Sequence, residues 1–487
     1  MRYKNLVGRD TEIGLLERIY KSNKSEFLAI YGRRRVGKSY LISEVYRDKL
    51  LFTAVGTYVK DGDKNQESYR QLQLTHFHDS LILSGLKQDT PCPKSWREAF
   101  LLLRKLLSAS KKHRKVILLD ELPWLAGPQS TELVAELGYF WNSWADRERN
   151  IILVVCGSAT SWMLDNVIHD YGGLHGRLTE IIHLKQFSLS ECETYYKRRG
   201  FHLSRYEMAL CYMVIGGIPY YLDKLRNDKS ITENIDAMFF ADEMIHQEFK
   251  NVFAGLYASK DKYIDIVKAV GRHLYGMTQA EILSATGLTG GGTFSKMLEN
   301  LKDSGIIREY PRYGKERVEK VYQLVDFFSL FYLRFIDGKQ CRPGGWNSIN
   351  RTGAFYNWAG DTFEVLCCTH LREMQNALHI PGIDKSYCFF GQDAEGKRAQ
   401  IDLVLECNAS RTDFLCEMKF SESKYPLTQK IKEDLLRRID ALRGNKIHKA
   451  SHSIQVVMVT SMGLGGSDNS GIISRTLSLD DLFSKYG

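Results

Sequence analysis

Phe27-Leu28-Ala29-Ile30-Tyr31-Gly32-Arg33-Arg34-Arg35-Val36-Gly37-Lys38-Ser39 is the stretch on which the reading of this chain turns. Five apolar residues in a row read as a short buried strand. They end at a glycine, four variable residues follow, and Gly37-Lys38-Ser39 then opens a helical run from Tyr40 to Tyr46. Strand, glycine-rich loop and helix in that order form a cradle for phosphate groups. The glycines let backbone N–H groups turn inward, and the helix N-terminus adds a favourable dipole. Lys38 is expected on the β- and γ-phosphates of a nucleotide, and the Ser39 hydroxyl on Mg²⁺. Gly32, Arg33, Arg34, Arg35, Val36, Gly37, Lys38 and Ser39 form the predicted binding set, with the three arginine side chains turned outward to solvent.

A second apolar run, Val116-Ile117-Leu118-Leu119, ends in Asp120-Glu121. Phosphoryl transfer needs a carboxylate to hold Mg²⁺ and a group to orient the attacking water. Asp120 is assigned to the metal and Glu121 to the water. A third run, 151–156, ends in Gly157-Ser158, and a fourth, 181–184, follows Gly176-Arg177. Helical spacing separates the runs, so a parallel sheet covered by helices is predicted, an α/β fold. An amphipathic helix precedes the first strand, with Ile13, Leu16 and Ile19 on one face.

In this order the elements resemble the AAA+/STAND branch of P-loop ATPases. Val7-Gly8-Arg9-Asp10-Thr11-Glu12 resembles that branch's GRxxE box, which implies that Arg9 lies near the adenine. The resemblance further implies a polar sensor at Ser158 and an arginine finger, Arg177, reaching a neighbouring subunit. Gly216-Gly217-Ile218-Pro219 is similar to the GxP segment of the STAND helical lid, which puts Pro219 at the nucleotide. Each also has a plainer reading: a surface or phosphate-facing arginine, a strand-end serine, a tight turn between helices.

Residues 187–249 carry helical spacing throughout. Residues 261–325 then read as helix, helix, helix and hairpin. Thr278-Gln279-Ala280-Glu281 opens the second helix as a capping box. The third helix is expected over residues 293–304. Arg308, Arg312, Lys315, Arg317 and Lys320 make the hairpin basic. This is the winged-helix pattern, which serves DNA with its third helix and wing or serves as a protein-contact module.

The last third supplies a different chemistry. Phe414-Leu415-Cys416-Glu417-Met418-Lys419-Phe420 is a strand pattern, so Glu417 and Lys419 share a face. Asp402 stands early in the strand-like run 400–406, and Glu364 lies in a helical segment. Carboxylates to hold Mg²⁺ and a lysine to activate water are what phosphodiester hydrolysis requires. Glu364, Asp402 and Glu417-x-Lys419 resemble the PD-(D/E)XK nucleases, with Ile401 where many members have proline. Gln429 or Lys430 matches a further motif that some members carry. The resemblance implies catalytic roles for Glu364, Asp402, Glu417 and Lys419, and a metal on Asp402 and Glu417. The plain alternative is an inactive nuclease fold kept for binding, with Glu417 and Lys419 as a salt bridge.

End to end the chain resembles archaeal-type AAA+/STAND ATPases, also found in bacteria, that finish in such a domain. The segment 322–335, Tyr-Gln-Leu-Val-Asp-Phe-Phe-Ser-Leu-Phe-Tyr-Leu-Arg-Phe, looks like that family's signature, and its apolar content suits core packing. The expected organisation is a P-loop ATPase core at 1–185, a helical lid at 186–258, a winged-helix domain at 259–342 and a restriction-endonuclease-like α/β domain at 343–487. Arg342-Pro343-Gly344-Gly345 is the expected linker, and 463–471 an expected loop. The expected function is ATP binding and hydrolysis governing a DNA-directed, Mg²⁺-dependent nuclease-like domain. The alternative is an ATP/ADP switch whose nuclease fold only binds DNA or protein.

Composition fits this and excludes other classes. At 487 residues several domains are expected. No stretch reaches the roughly 18 apolar residues of a membrane helix, and no apolar leader opens the chain. The 10 Cys form neither CxxC pairs nor zinc-spaced clusters, so a reduced, cytoplasmic protein is expected. The net charge is +9. From Gly345 onward 17 Lys+Arg meet 17 Asp+Glu, so the whole excess lies in the first 344 residues. DNA is the expected partner, alongside a second copy of the chain or another protein.

Overall fold

The computed structural model describes residues 3, 5–59, 66–127, 131–158, 160–169, 172–241, 244–253, 260–273, 275–311, 320–393, 395–445, 448–466 and 471–484. The chain divides into two compact units, Met1–Gln186 with Val252–Lys260, and Phe187–Asn251 with Asp261–Gly487.

The first unit is built on β1 (Glu26–Tyr31), β2 (Leu50–Val55), β3 (Lys115–Asp120), β4 (Ile151–Gly157) and β5 (Glu180–His183). They lie in the order β2-β3-β4-β1-β5, every pair parallel. Phe27, Leu28, Ala29 and Ile30 of β1 are fully buried, as is β4 along its length. Strands covered on both faces read as unbroken apolar runs, which is how these two stand out in the sequence. β2 closes one edge and buries only Phe52 and Ala54 deeply, so its run carries a weaker signal.

Helices cover the sheet through aromatic packing. In the helix Trp96–Ala109, Trp96, Ala99, Phe100, Leu103, Leu106 and Leu107 fall at helical spacing and are all buried. Ser95 caps it by accepting from the Glu98 N–H. Its stripe meets Phe77 and Phe140, with ring centroids 5.5 Å apart for Phe77–Trp96 and 5.4 Å for Phe100–Phe140. One aromatic pair of this kind adds about 0.5–1.5 kcal/mol beyond area burial. The result is a rigid sheet whose carboxyl edge carries the loops after β1, β3 and β4.

The second unit begins with two helices, Leu189–Arg198 and Arg205–Ile215, each opened by a full capping box, Ser188 with Glu191 and Ser204 with Glu207. The break at Gly216-Gly217 follows. A side chain on Gly217 would stand 2.0 Å from the Phe187 carbonyl oxygen, which accepts from the Tyr212 hydroxyl. Beyond the helices Pro219–Leu222, Ile231–Asp236 and Met244–Val252 come three more, Lys260–Gly271, Gln279–Thr286 and Gly292–Asp303. The Thr278/Glu281 capping box is formed. β6 (Met277–Thr278), β7 (Ile307–Pro311) and β8 (Lys320–Leu324) make an antiparallel sheet ordered β6-β8-β7. Residues 312–319, with the expected wing residues Arg312, Lys315 and Arg317, lie outside the described set.

The helix Phe327–Phe335 is core: Phe327, Phe328 and Phe331 are fully buried, against Phe239, Trp346 and Trp358. The stretch Arg342-Pro343-Gly344-Gly345 is held rather than loose. The Asp236 carboxylate accepts from the Gly344 N–H at 2.7 Å and the Trp346 N–H at 2.9 Å.

The last sheet contains β9 (Lys385–Gln392), β10 (Arg398–Cys407) and β11 (Thr412–Lys419). The two-residue β12 (Tyr425–Pro426) pairs outside it with β14 (Leu464–Gly465). With β13 (Ser453–Thr460) and β15 (Ile473–Ser478) the sheet order is β15-β13-β11-β10-β9. β9, β10 and β11 run antiparallel, whereas β11, β13 and β15 run parallel. The helix Gln429–Arg443 covers one face, burying Leu435 and Leu442 against Ile401, Leu415 and Met458.

Candidate functional site

Three strand ends converge at the carboxyl edge of the first sheet. β1 runs into the glycine loop, and Lys38 opens the helix Lys38–Val45. Lys38 is 6% exposed, and its ammonium donates to the carbonyl oxygens of Gly32 and Arg33, both at 3.0 Å. Burial holds it below the usual lysine range, against the opposing pull of Glu121, Cys156 and Asp120. Its partners are neutral carbonyls, so its charge remains available to an anion. Ser39 is the next residue of the helix. Of the three loop arginines, Arg34 is exposed while Arg33 and Arg35 are half-buried, so the expected solvated triplet holds for Arg34 alone.

β4 separates β1 from β3, which places Asp120-Glu121 two strands, about 10 Å, from the cradle strand. Asp120 is 8% exposed, and its Oδ1 accepts from the Glu121 N–H at 3.0 Å. Glu121 has left-handed backbone, φ 47°, an uncommon conformation for a residue with a side chain. Its Oε2 accepts from the Ser158 hydroxyl at 2.9 Å and from the Ser158 N–H at 3.3 Å. Ser158 and Glu121, singled out separately in the sequence, are thus directly bonded. Cys156, fully buried on β4, faces the same charges; burial, then Asp120, pushes its thiol well up.

Arg9 also meets the cradle. Its guanidinium is buried and donates to the Val36 carbonyl at 3.2 Å, from just before the helix Asp10–Lys21. Arg177 is exposed in the turn before β5. Pro219 begins the short helix Pro219–Leu222 of the second unit.

Residues 6–225 match the family model of an ATPase domain predominantly from Archaea. This stretch is an archaeal-type ATPase domain. The chain is 24% identical over 451 residues to an uncharacterized protein of Methanocaldococcus jannaschii, covering 89% of this chain and 91% of that one. An uncharacterized ATP-binding protein of the same organism is 44% identical over 45 residues, 9% of this chain and 76% of the other. Among solved structures, a Walker-type ATPase of Pyrococcus abyssi superposes with a TM-score of 0.48 at 20% identity, over 68% of this chain and 97% of that one. The ORC2 protein of Aeropyrum pernix gives 0.38 at 17%, over 67% and 93%. The match to an ATPase domain spans the cradle and the acids behind it and supports ATP binding.

The second unit holds a separate cluster. Glu364, on the helix Gly353–Thr369, and Asp402, on β10, are half-buried and close enough to feel each other's charge. Burial and then the Asp402 charge push the Glu364 carboxyl up to about 9, and burial with Glu417 raises Asp402 to about 6. Glu417, 3% exposed, is ion-paired to Lys419 at 2.5 Å, as their shared strand face requires. Its other oxygen is taken by Arg438 of the helix Gln429–Arg443. Of the two residues expected from this helix, Gln429 or Lys430, Gln429 donates to Glu433 at 3.1 Å. Among the described residues, no three His, Cys, Asp or Glu side chains converge as a metal-ligand set.

Two members of this cluster have no sequence signal. Arg438 is one arginine among many on an amphipathic helix. Tyr275, ahead of β6, packs edge-on against Phe390 at 5.7 Å and senses Glu364 and Asp402. Arg308 of β7, one of the expected basic hairpin residues, turns inward: its Nε donates to Gln323 at 2.6 Å and it contacts Cys368.

No described helix is long and apolar enough to cross a membrane.

Proposed function

We propose that the protein binds ATP at residues 32–39 and hydrolyses it, Ser39 and Asp120 holding Mg²⁺ and Glu121 orienting the attacking water. The observation that carries this is the pair of hydrogen bonds that Ser158 donates to Glu121, which fixes a carboxylate at a strand end within reach of the buried Lys38. A hydroxyl and a carboxylate are the hard oxygen donors that Mg²⁺ prefers, so the residues fit the ion. Bound there, it would neutralise charge on the phosphate oxygens. Lys38 exchanges carbonyls for phosphate oxygens, the loop N–H groups enclose them, and Glu121 accepts a hydrogen bond from water. Arg9 steadies the loop through Val36. Arg177, being exposed, suits a finger toward a second copy, and Pro219 belongs to the proposed lid at 186–258. Glu121→Gln should lower ATP turnover by about 100-fold or more while leaving ATP affinity within a few fold. Undiminished turnover in that variant would remove Glu121 from the reaction.

For the rest of the chain we propose a winged helix at 259–342 and a nuclease-like domain at 343–487, used as a DNA- or protein-binding output of the ATP/ADP switch. The double ion pair on Glu417 favours this reading over a cutting site, because both carboxylate oxygens already have cationic partners. As arranged, the cluster does not fit a metal, and no cleavage step is derived through one. Arg438→Gln tests the choice. A binding module stays insensitive to Mn²⁺ in both proteins and cuts no nucleic acid. Metal-dependent cleavage by the parent chain, lost in Asp402→Ala, would restore the nuclease reading.

A further inference from the structure

At the opposite edge of the first unit's sheet, where β1, β3 and β4 begin, lies a second concavity of about 450 Å³. Six residues of β1 at about 3.3 Å each put it about 20 Å from the cradle. Lys111, Lys112, Arg114, Lys115 and Arg149 line it against Glu148, a formal charge of +4 from five cations and one acid. Its volume is that of a small-molecule site, typically about 300–1,000 Å³.

The pocket contains a built cation. Arg114 is 3% exposed. Its Nη1 donates to the carbonyls of Lys24 at 2.8 Å and Arg149 at 3.1 Å, and its Nη2 to Ile19 at 3.1 Å and the Ser22 hydroxyl at 3.3 Å. These partners are neutral. Glu26 is the carboxylate whose charge reaches it, and that group is itself 3.7 Å from Lys24. The Arg114 Nε is buried with no hydrogen-bond partner, as is the Asn150 Oδ1 on the same wall. A buried guanidinium N–H without a partner is costly, so it calls for an acceptor. The lining has no Phe, Tyr or Trp on which a base could stack. It therefore suits a phosphate rather than a base.

We propose that this pocket is a phosphate-binding site, distinct from the nucleotide cradle, that takes backbone phosphates of a nucleic-acid strand. Arg114 supplies a recessed charge and its one unmade N–H, at Nε, and the exposed Lys111 and Arg149 supply the rim. Such binding carries no base preference and weakens steeply with salt.

The test uses the full chain with saturating ADP, so that the cradle is filled. Labelled single-stranded and duplex DNA of arbitrary sequence are titrated against the parent and a Lys111→Glu/Arg149→Glu double variant, neither residue touching the nucleotide site. The double variant should bind about 10-fold or more weakly, with its salt dependence shallower by about one to two phosphate contacts. Basal ATP turnover should be unchanged. A parallel arm follows thermal unfolding in inorganic phosphate. Unchanged DNA binding with loss of phosphate stabilisation would keep the site and make free phosphate its ligand. Equal DNA affinity and an equal phosphate response in both proteins would overturn the proposal.

Discussion

Gly32 and Gly37 both carry positive φ, 143° and 92°, yet replacing each by alanine should have different consequences. At Gly37 an added Cβ meets nothing within 4 Å, so the cost is conformational alone, about 1–2 kcal/mol. At Gly32 the same atom would stand 2.3 Å from the Leu184 carbonyl oxygen and 3.2 Å from its carbon. Backbone cannot rotate away as a side chain can. Leu184 is moreover fixed by its own N–H bond to Tyr31 at 2.8 Å, one residue before Gly32. Relief must therefore open either the exit of β5 or the first turn of the cradle. Adding an overpacking cost of about 1–3 kcal/mol to a backbone strain of similar size puts Gly32→Ala at about 2–6 kcal/mol. Urea unfolding followed by tryptophan fluorescence suits the measurement, because five of the seven tryptophans (Trp96, Trp124, Trp141, Trp144 and Trp162) lie in the first unit. Gly32→Ala should unfold at clearly lower urea than Gly37→Ala and lose more ATP affinity. If Gly37→Ala were equally or more damaging, the steric argument would be refuted.

Two further outcomes follow from burial. His370 is 3% exposed, its Nδ1 lies 2.9 Å from the Leu366 carbonyl, and burial lowers its pKa, partly offset by Glu373. The folded imidazole stays neutral where the unfolded one, with an ordinary pKa near 6.5, takes up a proton. Stability should thus fall as pH drops through 6.5, by at most about 1.4 kcal/mol per pH unit from this residue, and His370→Gln should flatten that part of the urea midpoint profile. All ten cysteines are free; Cys92 is exposed and Cys341 partly so, while the other eight are buried. An aromatic disulfide reagent should titrate about two thiols natively and ten in denaturant, and rapid reaction of more than that would contradict the packing.

The parts of the fold that sequence disclosed are those whose burial is complete or whose chemistry is local. β1, β3 and β4 are covered on both faces and stand out as apolar runs. β2 does not, because an edge strand buries alternate residues and Leu50–Val55 follows directly on a helix and turn. β15 is a sheet edge too and its mixed residues carry no run, while β9, the other edge, has only the four-residue run Tyr387-Cys388-Phe389-Phe390 between polar ends. Glu417 and Lys419 could be placed on one face by strand alternation, and the Thr278 box by its spacing. Arg438 could not be paired with Glu417, since that contact depends on how a helix 21 residues further on lies across the sheet. The same holds for Tyr275 and for Asp236, whose bonds to the 344–346 backbone turn an apparent linker into an anchored corner.

The helix Asp10–Lys21 is gripped at both ends by buried guanidinium groups. Arg9, at its start, holds the cradle at Val36, and Arg114 holds the Ile19 carbonyl in its last turn. Twelve residues make a strut about 18 Å long, with one foot on each edge of the sheet. Such a strut transmits displacement along its axis instead of absorbing it. If an anion drew Arg114 away from Ile19 and so changed nucleotide affinity in the cradle, thermodynamic reciprocity would require nucleotide to change the affinity for that anion by the same factor.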